Sequence, residues 1–183
     1  MPRNRRLRDR DEKRAEIVAA ARQLFVERGF DAVPISRVAT DAGVTANTIY
    51  WYFADKDELL VAVLEAVLAD SLQRYAELAE PDLTGRVLWI VSELRSLRTL
   101  VDTVHSRRLT SEAVDNWHNG FHAVADEMTR ASLPADLPTD QLDATCHIVT
   151  FVIEGILTHP ADAATTRTIV ETLVRSIIAG GQG

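Results

Sequence analysis

Val44 to Glu58 reads V-T-A-N-T-I-Y-W-Y-F-A-D-K-D-E, and its side chains suit a helix built to be touched from outside. Thr45 is placed to cap the helix start, while Val44 and Ile49 are spaced as a hydrophobic staple that pins one face inward. Ala46, Asn47, Thr48, Tyr50, Trp51 and Tyr52 are then left facing mostly outward. Aromatic rings on a solvated surface are costly unless a partner covers them, and a short helix offering rings, hydroxyls and an amide fits the recognition helix of a helix-turn-helix protein. Asp55 follows as a cap, and Lys56 falls in the first turn of the next helix.

The preceding residues supply the other half of such a motif. Ile35, Val38, Ala39 and Ala42 recur at i, i+3, i+4 and i+7, one helical face, and Gly43 is placed to end that helix in a left-handed cap. Two helices joined through A-G-V-T form the arrangement that lays one helix across the phosphates and the other in the major groove.

With L-F-V-E-R-G-F at 24–30, R-V-A-T-D-A-G-V-T at 37–45 and T-I-Y-W-Y-F-A-D-K at 48–56, the chain resembles the tetracycline-repressor (TetR) family of transcriptional regulators. The resemblance covers roughly the first 65 residues. It implies an all-helical, usually dimeric DNA-binding protein, commonly a repressor released by a small molecule that binds the C-terminal domain. Two positions depart from the family pattern. Where a Ser or Thr often caps the second helix, this chain reads V-P-I-S, and Pro34 suits a first helical position but has no N–H. A phosphate contact there falls to Ser36, Arg37 or the remaining amides. Asn47 stands where Gly is common and adds an amide able to pair bidentately with adenine.

Composition sets the outer bounds. A chain of 183 residues with 46% hydrophobic and 26% charged content is ordinary for a soluble globular protein of one sizeable domain or two small ones. One cysteine, Cys146, excludes an internal disulfide framework and suits a reducing cytoplasm. M-P-R-N-R-R-L-R lacks the apolar core of a signal peptide, and no apolar run reaches the roughly 18 residues that span a bilayer. The net charge of −7 is unevenly spread: residues 1–56 hold 11 Lys/Arg against 8 Asp/Glu, or +3, and residues 57–183 hold 9 against 19, or −10. A basic end and an acidic remainder favour DNA at one end and repel it from the other.

Taken in order, Arg3, Arg5, Arg6 and Arg8 precede any apolar periodicity and read as a basic arm, solvated or laid on DNA. From about Asp11 the stripe Ile17, Ala20, Ala21, Leu24 and Phe25 predicts a support helix closed by Arg28-Gly29. Asp55 and Glu58 have capping-box spacing and open a long helix with the stripe Leu60, Val63, Leu64 and Val67, reaching to about Ala79. Lys56 and free N–H groups at its start suit a phosphate. After a break at Pro81 to Gly85, Val87, Ile90, Leu94, Leu97 and Val101 predict one helix, with Thr103 to Arg108 a short helix or turn. Val114, Trp117, Phe121, Val124 and Met128 predict another, interrupted by Gly120. A Pro-containing loop at 133–138 precedes a helix from about Thr139 to Leu157, apolar on nearly every side, and a last helix carries Ile169, Val170, Leu173, Val174, Ile177 and Ile178. Two such apolar helices leave surface for a second subunit to cover.

The expected architecture is therefore all-α with about nine helices: a helix-turn-helix DNA-binding domain over 1–55 and a helical ligand-binding and dimerisation domain over 56–183. DNA contacts are assigned to Ser36, Arg37, Thr45, Ala46, Asn47, Thr48, Tyr50, Trp51, Tyr52 and Lys56. His147, Phe151 and Glu154 share one face of the apolar helix, and with Trp89, Trp117 and Phe121 they are expected to line a mainly apolar effector pocket, coupled to the reading helix through the long helix from Lys56. His118 and His122, four apart, have metal-compatible spacing without the glutamate of a zinc protease, and no metal or cofactor is expected. No G-x-S-x-G, P-loop or G-x-G-x-x-G motif supports an enzyme. The expected function is a cytoplasmic, ligand-responsive regulator that binds a palindromic operator as a homodimer; the alternative is an architectural or interaction protein with no small-molecule ligand.

Overall fold

The computed structural model describes residues 3–78, 82–133, 137–159 and 161–180, with the side chains of 3–8 and 180 left aside. Of the break expected from Pro81 to Gly85, Pro81 lies outside those residues and Leu83 to Gly85 are helical, and of the loop expected at 133–138, residues 134–136 lie outside them. All regular structure among the described residues is helical: α1 (Arg3–Arg28), α2 (Ile35–Asp41), α3 (Ala46–Tyr52), α4 (Lys56–Ala76), α5 (Leu83–Ser96), α6 (Arg98–Arg107), α7 (Glu112–Arg130), α8 (Thr139–Thr158) and α9 (Ala163–Gly180). None of these is long and apolar enough to cross a membrane.

The chain packs as two compact units, Met1–Ala76 with Leu97–His118 and Glu77–Ser96 with Asn119–Gly183. The first is organised around α1, whose Ile17, Ala21, Leu24 and Phe25 are at most 3% exposed. Against this stripe lie Leu59, Leu60, Val63, Leu64 and Val67 of α4, Leu100 and Val104 of α6, Val114 of α7, and Val38 and Ile49 of the two short helices. Phe25 meets Phe30 edge-on at 5.2 Å between centroids. Buried aliphatic and aromatic side chains of this size each stabilise by about 1.5–3 kcal/mol, so packing, not the intrinsic preference of two seven-residue helices, holds the first unit together.

The packing departs from the sequence pattern at three places. The packing does not divide the chain after residue 55, because α4 is the inner wall of the first core, burying Leu59, Leu60, Val63, Leu64 and Val67 in it. The single helix expected over Val87 to Val101 is two: the chain turns at Leu97 (φ −102°, ψ 16°), with α5 burying Val87 and Val91 in the second unit and α6 burying Leu100 and Val104 in the first. The helix with residues in both units is α7, not α4. A smaller difference is that α1 begins at Arg3 rather than near Asp11; its first turns are rich in Arg, a good helix former even without an apolar face.

In the second unit α5 packs on both α8 and α9, with Val87, Val91, Ile156, Val170 and Val174 as its buried cluster. Arg95 ties the ends of these helices, donating to the Ala161 carbonyl at 3.3 Å and the Thr166 hydroxyl at 3.0 Å. Asp162 caps α9 by accepting from the Thr165 N–H at 2.7 Å, which holds its carboxyl below the ordinary 3.8.

Candidate DNA-reading interface

The turn between α2 and α3 is set by local chemistry. The Val44 N–H donates to the Ala39 carbonyl at 2.9 Å and the Gly43 N–H to the Thr40 carbonyl at 3.2 Å. This is the Schellman pairing, which requires a left-handed residue next to the helix end; Gly43 supplies it at φ +64°. Thr45 then caps α3, accepting from the Thr48 N–H at 3.2 Å, and the two threonine hydroxyls meet at 2.9 Å. Ile49 is fully buried and Val44 packs on the same core, as expected for the staple.

The outward face of α3 is Asn47, Tyr50 and Trp51, with Tyr50 51% and Trp51 63% exposed. Ala46 and Tyr52 turn inward more than the sequence suggested, both packing on the first core. The reason is the helical period: each lies within a step of three from Ile49, so the groove that receives Ile49 takes their edges too. At the start of α2, Pro34 provides no side-chain cap and Val33 is buried at 1% exposure, so the position where a hydroxyl would cap serves the core instead. Ser36 and Arg37 are exposed; Arg37 bridges Asp41 one turn on at 3.1 Å.

Lys56 is the least solvated of the candidate cations. Its ammonium donates to the Phe30 carbonyl at 2.6 Å and lies 4.0 Å from the Phe30 ring centroid. Burial pulls its pKa below the ordinary 10.5, partly offset by Asp31. Beside it, Arg107 of α6 bonds Asp57 at 2.5 Å and lies 5.6 Å from the same ring. Lys56 thus fastens the start of α4 to the α1–α2 connection. Sequence reasoning missed two residues: Arg10 and Arg14 of α1 lie over Trp51 at 4.6 Å and over Phe53 at 5.1 Å. Their four-residue spacing puts them on one face of α1, but nothing local says which rings that face meets.

The expected effector residues are divided between the two units. Trp117 packs on the first core, whereas Trp89, Phe121, His147, Phe151 and Glu154 belong to the second unit. The buried stripe of α8 is Cys146, Val149 and Ile156, which turns His147 and Phe151 to the opposite side. Phe151 is 65% exposed, and the ring Nδ1 of His147 is 2.8 Å from the Asp143 carbonyl. Glu154 instead pairs with His122 at 3.6 Å. His118 is buried, with its Nε2 3.2 Å from the Arg108 guanidinium, and the described residues contain no cluster of three His, Cys, Asp or Glu suited to a metal.

Comparison with known proteins agrees with this architecture. Residues 17–63 match the model for bacterial regulatory proteins of the tetR family. The HTH-type transcriptional regulator TtgR of Pseudomonas putida is 30% identical over 152 residues, covering 71% of this chain and 72% of TtgR. The HTH-type transcriptional repressor NicS of Pseudomonas putida is 30% identical over 136 residues, 69% of this chain, which spans only 58% of that relative's length. Among solved structures, a transcriptional regulator from Rhodococcus sp. Rha1 superposes with a TM-score of 0.73 at 17% identity, over 91% of this chain and 96% of its own. FadR of Bacillus subtilis, crystallised with stearoyl-CoA, does so at 0.61 and 18%, over 87% and 97%. A helix-turn-helix head built on capped α2 and α3, a family match across that head and a relative aligned over most of both lengths lead to one conclusion: this chain belongs to the tetR family of bacterial regulatory proteins.

Proposed function

We propose that the chain is a homodimeric repressor that binds a two-fold-symmetric operator in double-stranded DNA and is released by a mainly apolar small molecule, acting in the cytoplasm. The observation that carries the DNA reading is α3, a rigidly capped helix with Asn47, Tyr50 and Trp51 turned to solvent. Asn47 reads a base edge, Ser36, Arg37 and Lys56 meet phosphates, and Thr45, Thr48 and Tyr52 fix the helix in register. Dimerisation is supported by Ile148 and Phe151 of α8 and Ile169 and Ile178 of α9, all exposed on one chain. Release by an effector is supported by the likeness to FadR, which binds stearoyl-CoA, and repression by the likeness to NicS.

The test is enrichment of duplexes from a randomised pool by the purified protein. The expected product is a palindrome whose half-sites lie about 34–36 Å apart or a multiple of that. Asn47→Ala should then relax preference at one base pair by about 1–3 kcal/mol. Recovery of no preferred duplex, with equal binding of all sequences, would return the reading to a nonspecific DNA binder.

A further inference from the structure

We propose that Arg10 of α1 is an additional phosphate-contacting residue at the DNA surface, and that Trp51 positions it by stacking. This rests on the DNA-binding reading above and adds a residue outside the helix-turn-helix. The Arg10 guanidinium lies 4.6 Å from the Trp51 ring centroid, and Trp51 is the most exposed aromatic of α3 at 63%. Arg10 is itself exposed, so the stacked pair stands on the same open surface as Asn47 and Tyr50. Tyr52 meets the indole edge-on at 5.0 Å and 89°, which leaves Trp51 held from one side while Arg10 covers its face.

The chemistry of the pair says what it is for. Arginine loses little of its donor capacity by stacking, because its planar fork keeps N–H groups pointing outward in the plane. A guanidinium laid on an indole is therefore oriented before DNA arrives, and a phosphate is the group that accepts its donors and charge together. One turn on, Arg14 lies over the Phe53 ring, just past α3, at 5.1 Å, so this face of α1 meets two rings at the C-terminal end of α3. The surface that reads DNA is then α3 together with one turn of α1, and Trp51 serves Arg10 rather than a base.

The experiment uses the full chain and a duplex enriched by wild type from a randomised pool, with a scrambled duplex as comparison. Each phosphate charge neutralised steepens the dependence of log K on log salt by about 0.9, which amounts to about eightfold in affinity at 0.1 M salt. Arg10→Ala is expected to lower the slope by about 0.9 per protomer and to weaken both duplexes by the same factor. Arg10→Lys should keep the slope because the charge remains. Adding Arg10→Ala to Trp51→Ala should cost less than Arg10→Ala alone, since the stack is already gone. An unchanged slope in Arg10→Ala, or a slope lost equally in Arg10→Lys, overturns the phosphate contact. Fully additive losses overturn the positioning role of Trp51. Failure of wild type to enrich any duplex is a different result, one that removes the DNA reading itself.

Discussion

The outer face of α8 offers a quantitative test of the proposed dimer. Phe151 is 65% exposed in the single chain, although full burial of a phenylalanine is worth about 1.5–3 kcal/mol. Taking the side chain at roughly 200 Å², about 130 Å² is open to cover. At about 25 cal/mol per Å² this amounts to about 3 kcal/mol per copy, and to about 6 kcal/mol for the two copies a two-fold interface brings together. Phe151→Ala keeps the β carbon and an interface covers each ring only in part. Half that value, about 3 kcal/mol, raises the dimer dissociation constant by roughly 150-fold. Sedimentation equilibrium without DNA, from nanomolar to tens of micromolar protein, measures it directly. Far-UV circular dichroism should be unchanged, because the ring supports little of its own chain's core. A dissociation constant within about threefold of wild type, or a wild-type protein that stays monomeric at tens of micromolar, would refute the assignment of this face.

Two further outcomes follow from the geometry of the head. Gly43 sits at φ +64° with nothing within 4 Å of where a β carbon would lie, so Gly43→Ala carries backbone strain alone, about 1–2 kcal/mol, and Gly43→Asn less; chemical denaturation reads both, and an Ala variant as stable as wild type would mean the turn is not built on that cap. Burial holds the Lys56 pKa below 10.5, so between its folded value and 10.5 the unfolded chain binds more protons and stability rises with pH, while below the folded value this contribution is flat. Comparing urea midpoints from pH 8 to pH 10.5, Lys56→Met should lack part of the wild-type rise; identical pH profiles would show that the ammonium is as solvated in the fold as in the unfolded chain.

How much of this was legible in the chain differs from element to element. The α2–turn–α3 segment could be read because every feature that builds it is local: the Gly43 cap, the Thr45 hydroxyl and the Val44–Ile49 pair act within a few residues of one another. The start of α8 at Thr139, just after Pro138, was legible for the same reason. The turn at Leu97 was not, since no glycine or proline marks it and the apolar spacing runs straight through; two different cores claim the two sides. Nor could the sequence show that Trp117 packs on the first core, that Phe151 faces away from the buried stripe of α8, or that Arg10 finds Trp51. Periodicity determines which residues share a helical face, because 3.6 residues per turn is a property of the backbone alone. Which face is buried, and against whose side chains, is decided by contacts between elements far apart in the chain, and those exist only once the helices have packed.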